Sequence, residues 1–67
     1  MEYMKQSEIK INHIYRYGLK GTTMVKVLDK DWNTVTYYVI PDLRHNRRIP
    51  LRDFAYYAQE DMGEDAE

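Results

Sequence analysis

Cysteine is absent from this chain, and with it go a disulfide framework, a thiolate metal site and a cysteine nucleophile. The absence fits a reducing compartment. No apolar stretch, the longest being of the kind Tyr37-Tyr38-Val39-Ile40, is long enough to span a bilayer. Met1 to Gln6 lacks the hydrophobic core of a signal peptide. The expectation is a soluble, cytoplasmic protein without a membrane partner. Residues for catalysis are equally scarce. Only two histidines occur, His13 and His45, and neither has a partner at metal-ligand spacing. Ser7 has no recognisable base or oxyanion elements. Gly18 and Gly21 lack the lysine-serine or lysine-threonine ending of a phosphate loop. Asp29, Asp31 and Asp42 sit around turns, where solvated turn chemistry accounts for them. The expectation is no enzyme, no cofactor and no metal.

Base is also missing from the last fifteen residues. Met1 to Arg52 holds all ten lysines and arginines against five carboxylates, for +5, whereas Asp53 to Glu67 holds six carboxylates, for −6, giving the net −1. A near-neutral total therefore joins a basic body to an acidic end, and either half can meet a charged partner.

What is present in excess is tyrosine: seven, beside one tryptophan and one phenylalanine. A tyrosine ring can wall a small core while its hydroxyl reaches water, and the same property favours interfaces. At 67 residues there is room for one domain and one small core. A chain of this size buries about 60% of its unfolded surface, so stability should be a few kcal/mol. Association between copies could supply missing burial.

Period-two patterning runs from Ile9 to Tyr17, with Ile9, Ile11, His13, Tyr15 and Tyr17 on one face; Lys10, Asn12 and Arg16 lie on the other, and Ile14 is the exception. His13 then reads as a wall histidine bonded to backbone. The glycines of Gly18 to Thr22 suit a turn with positive φ. Thr23 to Asp29 resumes the alternation with Val25 and Val27. Lys30 to Asn33 is a polar hairpin connection in which Asn33 is the expected left-handed residue. Thr34 to Ile40 follows, with Val35, Tyr37 and Val39 on one face, and Pro41 closes the strand. Asp42 to Arg48 reads as a basic loop, with Ile49 leading into a very short fourth pairing. From Leu51 the period becomes helical: Leu51, Phe54, Ala55, Ala58 and Met62 fall within an arc of roughly 100°. Pro50 can open the helix, Asp53 favours its dipole, and Gly63 stops it. Tyr56 lies nearly opposite the stripe, the tyrosine least explained by packing.

These elements predict a mainly β domain with one C-terminal helix: a small SH3-like antiparallel barrel, or a strongly bent sheet, with the helix plugging an open end. The inner faces of Tyr15, Val25, Val27, Val35, Tyr37 and Val39 form its core. Residues 1–8 are an N-terminal arm, 9–62 the domain, and 63–67 a disordered acidic tail. An open three-stranded sheet under the helix is the alternative.

Ile14-Tyr15-Arg16, the glycine-bearing loop, Met24-Val25-Lys26-Val27-Leu28 and Arg48-Ile49-Pro50-Leu51-Arg52-Asp53-Phe54 together resemble small SH3-like proteins encoded by bacteriophages and prophages. The resemblance covers roughly residues 9 to 58. It implies non-enzymatic work, binding to a host protein or nucleic acid, and transfers no functional residue.

Arg44, Arg47, Arg48 and Arg52 put four arginines in nine residues. Arginine is preferred where phosphates or carboxylates are gripped bidentately, so this segment reads as an anion-binding loop or as a solvated loop paired internally with Asp42, Asp53 or the tail. The tail can solubilise, fold back on the arginines, or bind a basic partner. Trp32 can anchor an interface or fold onto the barrel. The partner-binding candidates are Trp32, Tyr38, Arg44, Arg47, Arg48, Arg52 and Tyr56. The leading expectation is a phage-derived module that binds, and can inhibit, a host protein. A nucleic-acid binder using residues 44–52 and a self-assembling subunit are the alternatives.

Overall fold

A computed structural model describes residues 4–40 and 45–65. Alternation dominates the middle of the chain. β1 (His13–Tyr17), β2 (Thr23–Lys30) and β3 (Thr34–Ile40) form an antiparallel meander, with Tyr15 opposite Val25, Val25 opposite Val39 and Val27 opposite Tyr37. Side chains directly opposite on antiparallel strands share a face. The buried set Tyr15, Val25, Val27, Val35 and Tyr37 therefore lies on one side of the sheet. Val39 is partly buried against it.

β4 (Asn46–Pro50) pairs antiparallel with β3, α1 (Leu51–Tyr57) follows, and β5 (Ala58–Glu64) returns along β1. The result is one five-stranded sheet in the order β4-β3-β2-β1-β5, with a short helix joining its two edge strands. That is the SH3-like small-barrel arrangement, mainly β with a single C-terminal helix, as the alternation predicts. Leu51, Phe54 and Ala55 bury the helix against the sheet. Phe54 is the centre of an aromatic cluster, 5.7 Å from the Tyr15 ring, 5.1 Å from Tyr17 and 5.4 Å from Tyr37, centroid to centroid. Burial pushes the Tyr17 hydroxyl pKa well above the ordinary tyrosine range, and the neighbouring Tyr37 hydroxyl adds to the effect. Three of the seven tyrosines thus serve as wall.

Several boundaries differ from the sequence expectation. The first strand starts at His13, because Asn12 takes a left-handed conformation (φ 72°) that breaks the alternation. Ile9 is buried on the near side of that break while Ile11 is 51% exposed. Asn12, and not Asn33, is the left-handed asparagine. The hairpin connection is closed instead by Asp31, whose Oδ1 accepts the N–H groups of Asn33 (3.0 Å) and Thr34 (2.8 Å). The segment expected as an N-terminal arm contains a 3-10 turn, Gln6–Glu8, docked by two devices. Tyr15 Oη donates to the Glu8 carbonyl (3.0 Å) and accepts from the Lys10 N–H (2.8 Å). Lys30 Nζ donates to the carbonyls of Ile9 (2.7 Å) and Gln6 (3.2 Å). The basic loop is shorter than expected, since Asn46, Arg47 and Arg48 belong to β4, paired with Tyr38, Tyr37 and Thr36. Pro41 to Arg44 lie outside the described residues.

The largest correction concerns the acidic end. α1 stops at Tyr57, and Ala58 turns to extended backbone (φ −72°, ψ 126°). Met62, expected on the apolar stripe, is 45% exposed. A helix continued to Met62 would set Glu60 and Asp61 in its last turn, against the negative end of the dipole. It would also leave the outer edge of β1 unpaired. As a strand the same residues complete the ladder of β1, from Tyr17 opposite Ala58 to His13 opposite Glu64. Gly63 and Glu64, expected to be disordered, belong to β5, and the Asp65 N–H donates to the Asn12 carbonyl (2.9 Å). Ala66 and Glu67 lie outside the described residues. Among the described residues no helix is long and apolar enough to cross a membrane.

Candidate functional site

Glu60 and Asp61 of β5, and Asp65 just beyond it, are occupied by the basic face of the barrel. Glu60 meets Arg16 Nε at 3.6 Å, Asp61 meets His13 Nδ1 at 3.0 Å, and Asp65 meets Lys26 Nζ at 2.8 Å. Among the described residues, the acids of this end meet bases of β1 and β2. His13 is bonded to a carboxylate and not to backbone as its wall position suggested.

Asp61 carries a pH signature. Partial burial acts to raise its pKa, but bonds from His13 and from the Gly63 N–H, with the charges of His13 and Lys10, outweigh that and hold the carboxyl below its ordinary value. A depressed carboxyl stabilises the fold above its unfolded pKa and stops doing so as pH falls through the folded value. The expected result is that Asp61→Asn is less stable than the parent at neutral pH. The gap should close as pH drops below about 4, the ordinary aspartate range. Urea midpoints measured between pH 7 and pH 2 read this directly; a gap that stays constant would mean the pair adds nothing to acid sensitivity.

The expected partner-binding residues divide into two groups. Trp32, at the tip of the β2–β3 hairpin, is 85% exposed, so it anchors nothing within the barrel. Arg52 and Tyr56, four residues apart on α1, share one face of the helix. Two adjoining grooves of about 510 Å³ each bring these three together. One is lined by Met4, Lys5, Gln6, Arg52, Ala55 and Tyr56, the other by Gln6, Trp32, Asn33, Pro50, Leu51 and Arg52. Gln6 and Arg52 are common to both, which makes them one trough running from the hairpin tip to the far end of α1.

The second group is scattered. Tyr38 stands opposite Lys26 and Asn46 on the outer face of the sheet, and Arg48 shares that face opposite Thr36. Arg47 is opposite Tyr37, so it projects to the other side. Arg44 lies outside the described residues. Among the described residues neither Arg47 nor Arg48 forms an ion pair. Strand alternation thus splits a cluster that was compact only in sequence.

Sequence reasoning missed Met4, Lys5, Gln6, Asn33 and Pro50 as groove residues. The N-terminal segment has neither period-two nor helical patterning, and it is the bonds from Lys30 and Tyr15, with burial of Ile9 and packing of Met4 on the core, that bring it beside α1. The one available signal was Pro50 immediately before the helix and Trp32 in a short hairpin, two exposed apolar groups adjacent to ordered backbone. Among the described residues no group of three histidine, aspartate or glutamate side chains could hold a metal ion. The chain matches no family model, no curated protein and no solved structure, and its function is read from its own residues.

Proposed function

We propose that this chain is a non-enzymatic protein-binding module whose contact surface is the trough ringed by Trp32, Arg52 and Tyr56. The observation that carries the reading is the exposure of the only tryptophan, 85%, on a hairpin tip that Asp31 holds in place. An exposed tryptophan costs solubility unless a partner covers it, and tryptophan, tyrosine and arginine are the residue types that dominate interface energy. All three occur here on one trough, supported by backbone elements and not by a long loop. The resemblance to phage-encoded small barrels extends the proposal to a host protein as the partner.

A nucleic-acid reading draws on Arg47 and Arg48, which lack ion pairs among the described residues. It is the weaker of the two, because these arginines project to opposite faces and because Glu60 and Asp65 already neutralise Arg16 and Lys26. Affinity capture from nuclease-treated host lysate, with the parent chain and Trp32→Ala side by side, separates the readings. The expected outcome is a nuclease-resistant protein retained by the parent and weakened in Trp32→Ala by about 30-fold or more, the effect of a hot-spot residue worth 2 kcal/mol. Loss of all bound material after nuclease would transfer the function to the arginine edge.

A further inference from the structure

We infer that the outer edge of β4 receives an acidic, extended polypeptide segment as an added strand, bonded through the main chain to Asn46 and Arg48 and through carboxylates to Arg47 and Arg48. Among the described residues, β4 ends the sheet and has β3 as its only partner strand. Its register fixes which backbone groups are free. The Leu51 N–H donates to the Asn33 carbonyl at 2.8 Å, one step beyond the pair Thr34 and Pro50. Hydrogen-bonded and non-hydrogen-bonded pairs alternate along an antiparallel ladder, so Ile49 and Arg47 turn their N–H and C=O groups toward β3. Asn46 and Arg48 turn theirs outward, and Pro50, which has no N–H, ends the row of donors. Asn46, Arg47 and Arg48 are all exposed. Such an edge is a template for a further strand.

From Thr34 to Tyr57 the chain holds four arginines against two aspartates, a net +2 that already counts the residues outside the described part. Asp53 lies beside Arg52, at 3.9 Å, whereas Arg47 and Arg48 form no ion pair among the described residues. Asp29 of β2 is opposite Thr36, hence two strands or about 10 Å from Arg48, and Lys26 and Lys30 share its strand. The positive excess therefore sits on the edge itself. Pleating sends Arg47 and Arg48 to opposite faces, which suits a strand better than a phosphate backbone. Two consecutive acids on an added strand also project to opposite faces, each beside its arginine. A second copy of the chain fits poorly. Registers that bond Arg48 to the β4 of another copy set Arg47 against its counterpart or Arg48 against its own. The edge of β5 is interrupted by two register shifts. The arginines thus repel the chain's own edge and select an acidic one.

A displayed library of random dodecapeptides, sorted on the full chain, supplies the probes, and amide hydrogen exchange followed by NMR locates them. In the free chain the Asn46 and Arg48 amides should exchange faster than those of Arg47 and Ile49. Selected peptides should carry consecutive aspartate or glutamate, slow exchange at Asn46 and Arg48 by about tenfold or more, and lose binding when alternate peptide nitrogens are methylated. Affinity should fall by about tenfold or more in Arg47→Glu and Arg48→Glu, and severalfold in Arg48→Gln, which keeps the backbone donor. Both arginines are exposed, so circular dichroism should show all three variants folded. Trp32→Ala should leave this binding unchanged, which separates the edge from the trough. Acidic peptides that leave both amides unprotected would overturn the assignment of the edge. Basic or uncharged peptides that protect them would overturn the acidic partner. Protection that rises with protein concentration, or on adding a single-stranded oligonucleotide, while peptides have no effect, would give the edge to a second copy or to nucleic acid and overturn the inference. Failure to select any peptide would count against it equally.

Discussion

Phe54→Ala should leave most of the population unfolded at room temperature. The ring is fully buried and meets Tyr15, Tyr17 and Tyr37, so its removal opens a cavity where β1, β3 and α1 converge. Truncating a buried phenylalanine costs about 3–5 kcal/mol. A single domain this small, without disulfide or metal, has a comparable total stability. The tyrosines cannot easily collapse into the space. Tyr15 is held by two hydrogen bonds at its hydroxyl, and Tyr17 already packs on Tyr37 and Tyr57. Arg52→Ala, two residues earlier on the same helix with its side chain 81% exposed, is the control and should stay within about 0.5 kcal/mol of the parent. Urea unfolding followed by circular dichroism compares the two. A Phe54→Ala chain with a cooperative transition near the parent midpoint would show that α1 is not what closes the core.

The second large effect is expected from the acidic end. A chain stopped after Gln59 should not fold, because it keeps only the Tyr17–Ala58 pairing, exposes the outer edge of β1 from His13 to Arg16 and leaves Arg16, His13 and Lys26 without the carboxylates that face them. Both sides of β1 are paired in the intact sheet, and Tyr15, at its centre, is wholly buried. Loss of one ladder thus reaches the core directly. A stop after Met62 removes less: the Glu64 pairing with His13, the Asp65 N–H bond to Asn12 and the 2.8 Å pair between Asp65 and Lys26. That shorter cut should cost about 1–3 kcal/mol, the usual range for a hydrogen bond lost at a partly buried group. Each kcal/mol lowers the melting temperature by roughly 4–8 °C in a domain of this size. Thermal melts of the two truncations provide the test. Melting within two degrees of the parent after the Met62 stop would return Gly63 to Asp65 to the role of a solubilising tail.

The two experiments also show where local sequence information ends. Between Thr23 and Ile40 the alternation of Val25, Val27, Val35, Tyr37 and Val39 determines strand, face and hairpin together, since a slip of one residue would turn the whole set to water. The observed bounds of β3 are those the pattern predicts. Phe54 as the anchor of a helix beginning at Leu51 is equally local, because three apolar groups recur at helical spacing behind Pro50. Residues 58–65 are different. Ala58-Gln59-Glu60-Asp61-Met62 is acceptable to a helix and continues its stripe, and nothing nearby in sequence forbids it. The decision comes from β1, more than forty residues earlier, which offers an unpaired edge and the bases that Glu60 and Asp61 meet.

The candidate site divides along the same line. Trp32 in a hairpin tip and Tyr56 opposite the apolar stripe were legible as exposed aromatics from local pattern alone. The arginines looked like one patch because sequence proximity ignores the pleat, which sends Arg47 and Arg48 to opposite faces of β4. Composition and alternation by themselves determined a small, mainly β domain with a tyrosine-walled core and a helix packed through Phe54. Tertiary structure decided that the acidic end is a strand and that Lys5 and Gln6 stand beside Arg52 and Trp32. The physical reason is common to both: a backbone edge or a charge is satisfied by whatever partner the fold brings near, and that partner can lie anywhere in the chain.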